Sequence, residues 1–325
     1  MNTPFISVRK TLRVIAASGL GLTALHAQNA PTPAAAPAAA SASTTATTTE
    51  YSPPLLGQTA NAMPANPALP TLWIIGDSTV RNGFNNNGPK GGWGWGGPIE
   101  YYFDLSKINV INRAISGIGS ESFYGQYWKP MLATIKKGDF VIMQFGANDN
   151  GAPSARVPIK GVGDETQEVS GVTIHTFGWY MEQYVKETRE KGATPIVLSL
   201  TPRNKWTADG KFQRDEGTHV AWAAAAAKDS NAPYINLYEL IARKSEEIGK
   251  DKVAAYYGPS PTEYLHTVWA GAVSNAECVI SGIEALKDNS LAKTLSARGL
   301  AVKPAPAECV EDNLASAKPA DAAAK

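Results

Sequence analysis

The length, composition and charge of the chain exclude several classes of protein at the outset. Its 325 residues, of which 43% are hydrophobic, are enough for one large or two small domains with a buried core. The formal net charge is +1 and the charged residues are mixed along the chain, so no broad basic surface is expected that would bind a nucleic acid. The two cysteines and four histidines show no clustered spacing of metal ligands, and no metal site is expected.

The first 27 residues are typical of a secretory signal peptide. Three basic residues between positions 9 and 13 precede an apolar run from Val14 to Leu25, and small residues follow near Ala27. The run is about a dozen residues long, whereas a membrane span needs about twenty, so a transmembrane anchor is not predicted. We therefore expect export to the periplasm or the exterior, with cleavage near Ala27.

Two segments of low complexity flank the part of the chain that is expected to fold. Residues 28–70 are built from Ala, Pro, Ser and Thr with hardly any charge and are typical of a disordered linker, and residues 300–325 are similar. The folded domain is therefore predicted over residues 71–299. It contains Cys278, whereas Cys309 falls in the predicted tail; in an oxidising compartment such a pair can form one disulfide.

Five apolar segments rich in β-forming residues recur along the predicted domain, and segments with helical spacing lie between them. This alternation predicts a three-layer α/β/α sandwich, in which helices cover both faces of a parallel sheet. A central, mostly parallel five-stranded sheet of flavodoxin-like order is the simplest arrangement, with its ligand crevice at the carboxyl ends of the strands. The predicted strands are residues 71–76, 108–115, 139–146, 194–201 and 233–238.

Residues suited to catalysis follow the first three predicted strands. Ser78 comes after the first strand, Gly117 lies in the turn after the second, and Asn148 follows the third. Each also has a plain structural interpretation, since serine caps helices, glycine makes turns and asparagine ends strands. Together they offer a nucleophilic hydroxyl, a backbone N–H that can point into the crevice and a neutral side-chain amide. The two amide donors suit the stabilisation of an oxyanion.

A nucleophilic serine needs a base, and two histidines qualify. His266 stands three residues after Glu263, and His219 stands three residues after Glu216. In either pair the carboxylate can curl back to one imidazole nitrogen, which leaves the other nitrogen to accept the serine proton. The spacing alone does not choose between the two histidines.

The ordered set of these segments resembles the SGNH, or GDSL-type, hydrolases. The sequence GDST, the turn at Gly117, the sequence GAND and the acidic-x-x-His segment stand in the order of the four blocks of that superfamily. Further segments, including GGWGWGGPIEYYF, KGVGDETQEV, HTFGWYMEQYV, KGATPIVLSLTPRNKW and HTVWAGA, look like the rhamnogalacturonan acetylesterase branch. The resemblance covers nearly all of residues 71–286 and implies the SGNH hydrolase fold.

The resemblance also implies roles for individual residues. Ser78 would be the nucleophile, His266 the general base and Glu263 the carboxylate that orients the base, so that the three form a catalytic triad. The oxyanion hole would comprise the backbone amides of Ser78 and Gly117 and the side chain of Asn148. Such a site needs no cofactor and no metal.

The chain departs from the family pattern at two places. The family usually has Asp where this chain has Glu263, and the extra methylene moves the carboxylate by roughly 1.5 Å if the backbone is unchanged. Glutamate serves as the third member in some other serine hydrolases, so activity is still expected. The branch commonly reads Gly-Gly-Arg-Ser around Gly117, whereas residues 116–119 here read Ser-Gly-Ile-Gly, which bears on substrate contacts more than on chemistry. In this family the segment that contains His219 falls between the fourth strand and the last block, so the resemblance implies that His219 is structural or part of the rim.

The activity implied is that of a secreted acetylesterase that removes acetyl groups from pectic rhamnogalacturonan through an acyl-enzyme intermediate. Its partner would be an acetylated pectic polysaccharide or oligosaccharide, and a monomer is expected. Tryptophans 93, 95, 179 and 269 could stack on sugar rings, although most of them also suit the core, and Arg203 or Lys205 could face uronate carboxylates. The residues predicted to contact substrate are Asp77, Asp149, Trp95, Arg203 and Trp269.

Other functions are compatible with the same residues. An acetylesterase for xylan or another glycan uses the same chemistry, as does a hydrolase of small esters or lipids, against which the loops rich in Trp, Gly and polar residues argue. A non-catalytic glycan-binding protein on the SGNH scaffold would tolerate Glu263 and the altered second block, and would not be labelled by an organophosphonate. A structural cell-surface protein would leave unexplained why the polar segments lie at strand ends.

Overall fold

The computed structural model of the protein describes residues 63–83, 90–151, 156–214, 218–258, 260, 262–287 and 289–313. The predicted signal peptide, and the predicted linker up to residue 62, lie outside these ranges. Both stay predictions, as does export. Within the described ranges, no helix is both long and apolar enough to cross a membrane.

A six-stranded sheet forms the centre of the fold. The strands of the protein are β1 (Thr71–Gly76), β2 (Asn109–Asn112), β3 (Phe140–Gln144), β4 (Gln167–Val169), β5 (Val172–Ile174), β6 (Thr194–Leu198), β7 (Tyr234–Ile235) and β8 (Val310–Glu311). The sheet has the order β2-β1-β3-β6-β7-β8, whereas β4 and β5 form a separate antiparallel hairpin. The first five strands of the sheet are parallel, and each lies within one of the five predicted strands. The predicted fold class is confirmed.

Helices pack against both faces of the sheet. They are α1 (Ser120–Phe123), α2 (Lys129–Leu132), α3 (Phe177–Glu190), α4 (Thr218–Asp229), α5 (Leu237–Ile248), α6 (Lys250–Ala254), α7 (Trp269–Ala285) and α8 (Ala297–Leu300). Alternate residues of a strand point to opposite faces. Leu72 and Ile74 of β1 accordingly pack in one cluster with α5 and α7, and Trp73 and Ile75 pack in the other with α3 and α4. Full burial of such a side chain contributes about 1.5–3 kcal/mol, so both faces hold β1 in place.

The folded part extends beyond the boundary predicted after Gly299. Strand β8 pairs antiparallel with β7, and Cys309, which directly precedes β8, is buried in the same cluster as Cys278. Arg243 of α5 also forms an ion pair with Glu308 at 2.7 Å. The predicted tail is therefore wrong for residues 300–313, and the sheet has six strands instead of five. A short apolar segment among Ala and Pro is too brief to show a strand period. Both cysteines are free thiols in the structure.

Candidate active site

Three of the predicted site segments meet at one edge of the sheet. Strands β2, β1 and β3 are neighbours and run parallel, so their carboxyl ends lie at the same edge. Ser78 follows β1, Gly117 lies beyond the end of β2, and Asn148 follows β3. The topology thus brings together residues that are far apart in the chain.

The side chain of Ser78 forms a hydrogen bond with that of His266. The Ser78 Oγ atom lies 2.9 Å from Nε2 of His266. The other ring nitrogen of His266, Nδ1, lies 3.2 Å from Oε2 of Glu263. An imidazole that donates its Nδ1–H to a carboxylate keeps Nε2 available to accept a serine proton. The His266 side chain is 43% exposed, so the pair is open to a ligand from solvent.

Glu263 is fixed by the loop to which it belongs. Its Oε1 atom accepts hydrogen bonds from the backbone N–H of Leu265 at 2.9 Å and of His266 at 2.8 Å. Burial alone would raise the pKa of Glu263, but the hydrogen bonds from the His266 and Leu265 backbone and from the His266 ring outweigh burial and lower that pKa. The extra methylene of Glu, compared with Asp, therefore does not separate the carboxylate from the imidazole.

His219, the rival base, lies away from the hydroxyl of Ser78. Its ring packs edge-on against Phe177, with centroids 5.0 Å apart, and against Trp222, with centroids 4.7 Å apart. The residue is 3% exposed, and burial lowers its pKa to about 4. The structure therefore brings His266, and not His219, to the serine, a choice that the sequence spacing left open.

Amide donors lie beside the Ser78 segment. Gly117 has a φ of 73°, a conformation that favours glycine, and the residue is exposed. The Nδ2 atom of Asn148 donates to the backbone carbonyl of Ile118 at 3.3 Å, which places this amide against the Gly117 turn. An asparagine amide carries two hydrogens, so the second can serve a developing oxyanion.

Asp77 and Asp149 were predicted to contact substrate, and that prediction is wrong because they are 0% and 1% exposed. Oδ1 of Asp77 accepts from N and Oγ1 of Thr79 at 2.8 and 2.7 Å. Oδ1 of Asp149 accepts from N and Oγ of Ser120 at 2.7 and 2.8 Å. The two carboxyls thus fix the segments that follow the nucleophile and the Gly117 turn. Burial raises the pKa of both, that of Asp149 to about 7.

The prediction of Trp95 and Trp269 as substrate contacts is also wrong. They are 0% and 6% exposed. Trp95 Nε1 donates to Oε1 of Gln144 at 2.8 Å, and the Trp269 ring packs edge-on against Trp93 with centroids 4.9 Å apart. The large apolar surface of these side chains is used in the core. Arg203, in contrast, is half-buried at the surface.

The segment of residues 93–96, rich in Gly and Trp, joins the nucleophile to the base. Three of its backbone N–H groups donate to carbonyls of residues 79–81, at 2.8, 3.1 and 3.0 Å. Trp93 N donates to the carbonyl of Thr267 at 2.8 Å, and Thr267 Oγ1 donates to the carbonyl of Trp93 at 2.7 Å. Since Thr267 directly follows His266, this segment connects the two halves of the Ser78–His266 pair. From the sequence, this segment was expected to supply tryptophans for sugar rings, and its connecting role was not predicted.

A hydroxyl, an imidazole and a carboxylate in hydrogen-bonded series at the carboxyl edge of a doubly wound sheet define the class of serine hydrolases. The model of the GDSL-like lipase/acylhydrolase family matches residues 74–266. The chain belongs to this family, and it is a carboxylic ester hydrolase.

Relatives of known name support the resemblance seen in the sequence, which is confirmed. The chain is 29% identical to the rhamnogalacturonan acetylesterase of Emericella nidulans over 221 residues, which cover 66% of this chain and 84% of that protein. It is 29% identical to the probable rhamnogalacturonan acetylesterase YesY of Bacillus subtilis over 220 residues, which cover 66% of this chain and 93% of that one. The solved structure of protein YXIM from Bacillus subtilis shares the fold, with a TM-score of 0.57 and 24% identity; the match covers 66% of this chain and 56% of that chain.

The contacts of Glu263 predict that Glu263→Gln lowers kcat by about 10⁴-fold while the fold is kept. Glutamine still accepts the two backbone hydrogen bonds, but its amide N–H faces Nδ1 and favours the tautomer whose Nε2 cannot accept a proton; a comparable change in a serine protease costs about 10⁴-fold. Glu263→Asp is expected to lose about tenfold, because the shorter side chain cannot keep all three hydrogen bonds. Hydrolysis of p-nitrophenyl acetate measures both effects, with circular dichroism as the control for folding. A wild-type kcat in the Gln variant would contradict the assigned role.

The contacts of residues 93–96 predict that Gly94→Ala lowers kcat by about 10²-fold, the cost of a displacement of roughly 1 Å. A Cβ atom at Gly94 would lie 2.3 Å from backbone C of Val80, 2.5 Å from N of Arg81 and 2.6 Å from C of Thr79. The backbone after Ser78 must therefore move. Gly92→Ala is the matched control, since its Cβ would meet nothing within 4 Å. The rate of serine labelling by an organophosphonate reports the change, and equal rates in both variants would disprove the role of this segment.

The raised pKa of Asp149 predicts how its removal changes the pH dependence of stability. The pKa of Asp149 is raised from the ordinary value of 3.8 to about 7 in the folded state. Between these two pH values the folded state therefore binds the proton more tightly than the unfolded state does. The free energy of unfolding contributed by Asp149 therefore falls as the pH rises through this window. Asp149→Asn keeps the acceptor for Ser120 and removes the titration. Between pH 5 and pH 8 the free energy of unfolding of the variant should therefore fall by about 1 kcal/mol or more less than that of wild type.

Urea unfolding at several pH values measures this difference. Asp251→Asn, which removes a carboxylate from an exposed position of α6, is the control. Parallel stability curves for wild type and Asp149→Asn would show that Asp149 is ionised in the folded state throughout.

Proposed function

We propose that this protein is an exported carbohydrate esterase that removes acetyl groups from pectic rhamnogalacturonan. The observation that carries the proposal is the 2.9 Å hydrogen bond between Ser78 Oγ and His266 Nε2, at the carboxyl edge of the sheet, where α/β folds bind their ligands. The substrate class is supported by relatives named rhamnogalacturonan acetylesterases that this chain matches over 84% and 93% of their lengths.

The first half of the reaction forms an acetyl-enzyme. Ser78 Oγ attacks the carbonyl carbon of the acetyl group while its proton passes to Nε2 of His266. The carbonyl oxygen takes up the electron pair and becomes an oxyanion, which accepts hydrogen bonds from the Ser78 and Gly117 backbone N–H and the Asn148 amide. Collapse of this intermediate breaks the bond to the sugar oxygen, which takes the proton from His266 and leaves as an alcohol.

The second half releases acetate. A water molecule attacks the acetyl carbon as His266 Nε2 accepts its proton, and the same amides stabilise the second oxyanion. When the intermediate collapses, the bond to Ser78 breaks and Oγ regains its proton from His266. Glu263 stays ionised in both halves, because its lowered pKa favours the carboxylate that stabilises the imidazolium.

The surface around the serine favours a polymeric sugar over a lipid. The His266 and Glu263 side chains are 43% and 29% exposed, so an extended chain can pass over them. Among the described residues, few large hydrophobic side chains are well exposed, and Tyr264 is the one in the loop of Glu263 and His266. A lipid-binding mouth would need a contiguous apolar patch.

Acetate release from acetylated rhamnogalacturonan, homogalacturonan and xylan, measured in parallel, tests the proposal. Wild type is expected to release acetate from rhamnogalacturonan, and Ser78→Ala is expected to lose at least about 10³-fold in kcat, because only oxyanion stabilisation and binding remain. Labelling by an organophosphonate, present in wild type and absent in Ser78→Ala, shows that the serine is activated.

Three outcomes would change the conclusion. Release from xylan alone would keep the esterase chemistry and transfer the substrate class to xylan. Cleavage of p-nitrophenyl acetate without release from any glycan would discard the carbohydrate substrate. Absence of labelling and of cleavage would leave a glycan-binding protein on an esterase scaffold.

A further inference from the structure

Two cations lie over one aromatic ring in the loop of Glu263 and His266. The Cζ atom of Arg203 is 5.4 Å from the centroid of the Tyr264 ring, and the Nζ atom of Lys205 is 5.7 Å from the same centroid. Tyr264 is 41% exposed and Lys205 is exposed as well, whereas Arg203 is half-buried. We refer to these three side chains as the Tyr264 patch.

The Tyr264 patch lies next to the reacting groups. Tyr264 directly follows Glu263 and precedes His266 by two residues, so its Cα is no more than about 7.6 Å from that of His266. A glycan whose acetyl group reaches Ser78 therefore has neighbouring sugar units within reach of the patch.

Hydrogen bonds hold the patch in place. The backbone N–H of Asn204, which lies between Arg203 and Lys205, donates to the carbonyl of Tyr264 at 2.7 Å. The side chain of Asn204 in turn accepts from Trp206 Nε1 at 2.8 Å. Both cations are therefore carried by a loop that is tied to the loop of the triad, which lowers the cost of ordering them when a ligand binds.

Glu263, the carboxylate next to Tyr264 in the sequence, is already hydrogen-bonded to other groups. The oxygens of Glu263 accept from the backbone of Leu265 and His266 and from the His266 ring. Arg203 forms no ion pair with any carboxylate among the described residues, whereas other arginines, such as Arg214 and Arg243, pair with glutamates. A guanidinium that is held by an aromatic ring presents its planar fork of donors to an incoming anion.

A cavity lined by the sequence neighbours of the patch gives a sugar chain room to pass. It measures about 490 Å³ and is lined by Glu263 and Asn204, with a further cation, Lys90, at its wall. Ser260, which is exposed, also lines it and offers a hydroxyl group suited to sugar oxygens. The cavity thus places a positive charge, that of Lys90, at a wall that also contains the acid of the triad.

From these contacts we infer that the Tyr264 patch is a carboxylate-binding subsite, in which Arg203 binds the carboxylate of a uronic acid unit next to the acetylated sugar. Lys205 adds long-range attraction, and the Tyr264 ring positions both cations. The inference rests on the proposed function, since it assigns the patch to an acidic glycan. The patch would determine which glycan binds, and it would take no part in breaking the ester bond.

Steady-state kinetics on two forms of one glycan test the inference. Acetylated rhamnogalacturonan oligosaccharide is compared with the same oligosaccharide after methyl esterification of its carboxylates, and p-nitrophenyl acetate reports the chemistry alone. Arg203→Gln should raise KM for the acidic form by about tenfold or more, the effect of losing a charge-assisted hydrogen-bonded pair, with kcat changed less than about twofold. Its KM for the esterified form and its rate on p-nitrophenyl acetate should stay at wild-type values.

Further variants separate the subsite from a general structural role. Arg203→Lys should restore part of the affinity, since it keeps the charge and loses the bidentate fork. Tyr264→Leu, which removes the ring that positions both cations, should raise KM for the acidic form as Arg203→Gln does. Lys186→Gln, which removes one positive charge from an exposed position of α3, is the matched control and should change no parameter. Equal losses on the acidic and esterified glycans, or no loss on either, would overturn the inference.

Binding measured without catalysis distinguishes a failed inference from a failed function. Calorimetry with a deacetylated rhamnogalacturonan oligosaccharide is carried out on Ser78→Ala and on Ser78→Ala/Arg203→Gln. If Ser78→Ala binds the oligosaccharide and Ser78→Ala/Arg203→Gln binds it about tenfold more weakly, the subsite is supported even if no acetylated glycan is hydrolysed. Binding that is absent from both, or equal in both, would refute the subsite even if acetate release from rhamnogalacturonan is observed.

Discussion

The hydrogen bond between Ser78 and His266 is the constraint on which the rest of the site depends. It joins side chains that are 188 residues apart in the chain at a distance of 2.9 Å. Such a contact persists only if both backbones are held rigidly. Strand β1 does this for the serine because its side chains are buried on both faces of the sheet, and residues 93–96 extend the restraint to the loop of the histidine through Thr267. The distance between Ser78 and His266 is therefore set by the packing of the core beneath them.

Buried carboxyls are the second device that gives the site its shape. Asp77 and Asp149 each gather two donors, from Thr79 and from Ser120, at a single oxygen. Burying these groups disfavours their charged forms, which raises both pKa values and costs stability at neutral pH. The cost is understandable at a place where two loops must be fixed beside the nucleophile, because a neutral apolar residue would leave the same donors unsatisfied.

Much of the fold could be predicted from the sequence, because its strands are apolar segments whose length and composition are visible locally. Ser78 could be predicted for the same reason, since its position follows from where β1 ends. His266 could not be chosen over His219 by spacing; in the structure they are separated by the hydrogen bond of His266 to Ser78 and by the packing of His219 against Phe177 and Trp222. Without the resemblance, the choice of base would have stayed open until the three-dimensional arrangement was known.

The residues wrongly predicted to contact substrate share one physical cause: the same side chain suits both a ligand site and the buried core. Trp95 has the same apolar surface whether it stacks on a sugar or fills the core, and Asp149 has the same carboxylate whether it binds ligand or backbone. The contacts of Gly94 and of Tyr264 are between segments distant in sequence, so no local pattern indicates them. For the Tyr264 patch the sequence indicated only the two cations, Arg203 and Lys205, and not the ring over which they lie.

Strand β8 has a consequence for the association of the protein with other sheets. In the described part of the chain it is the last strand next to β7, and it is only two residues long, with a glutamate at its outer end. A long, flat outer strand would present unpaired backbone groups on which another molecule could add its own strand. A very short, acidic one offers almost no such template. Strand β8 thus shields the sheet from edge-to-edge aggregation, so a shortened chain that ended after α7 would expose the backbone of β7 to self-association.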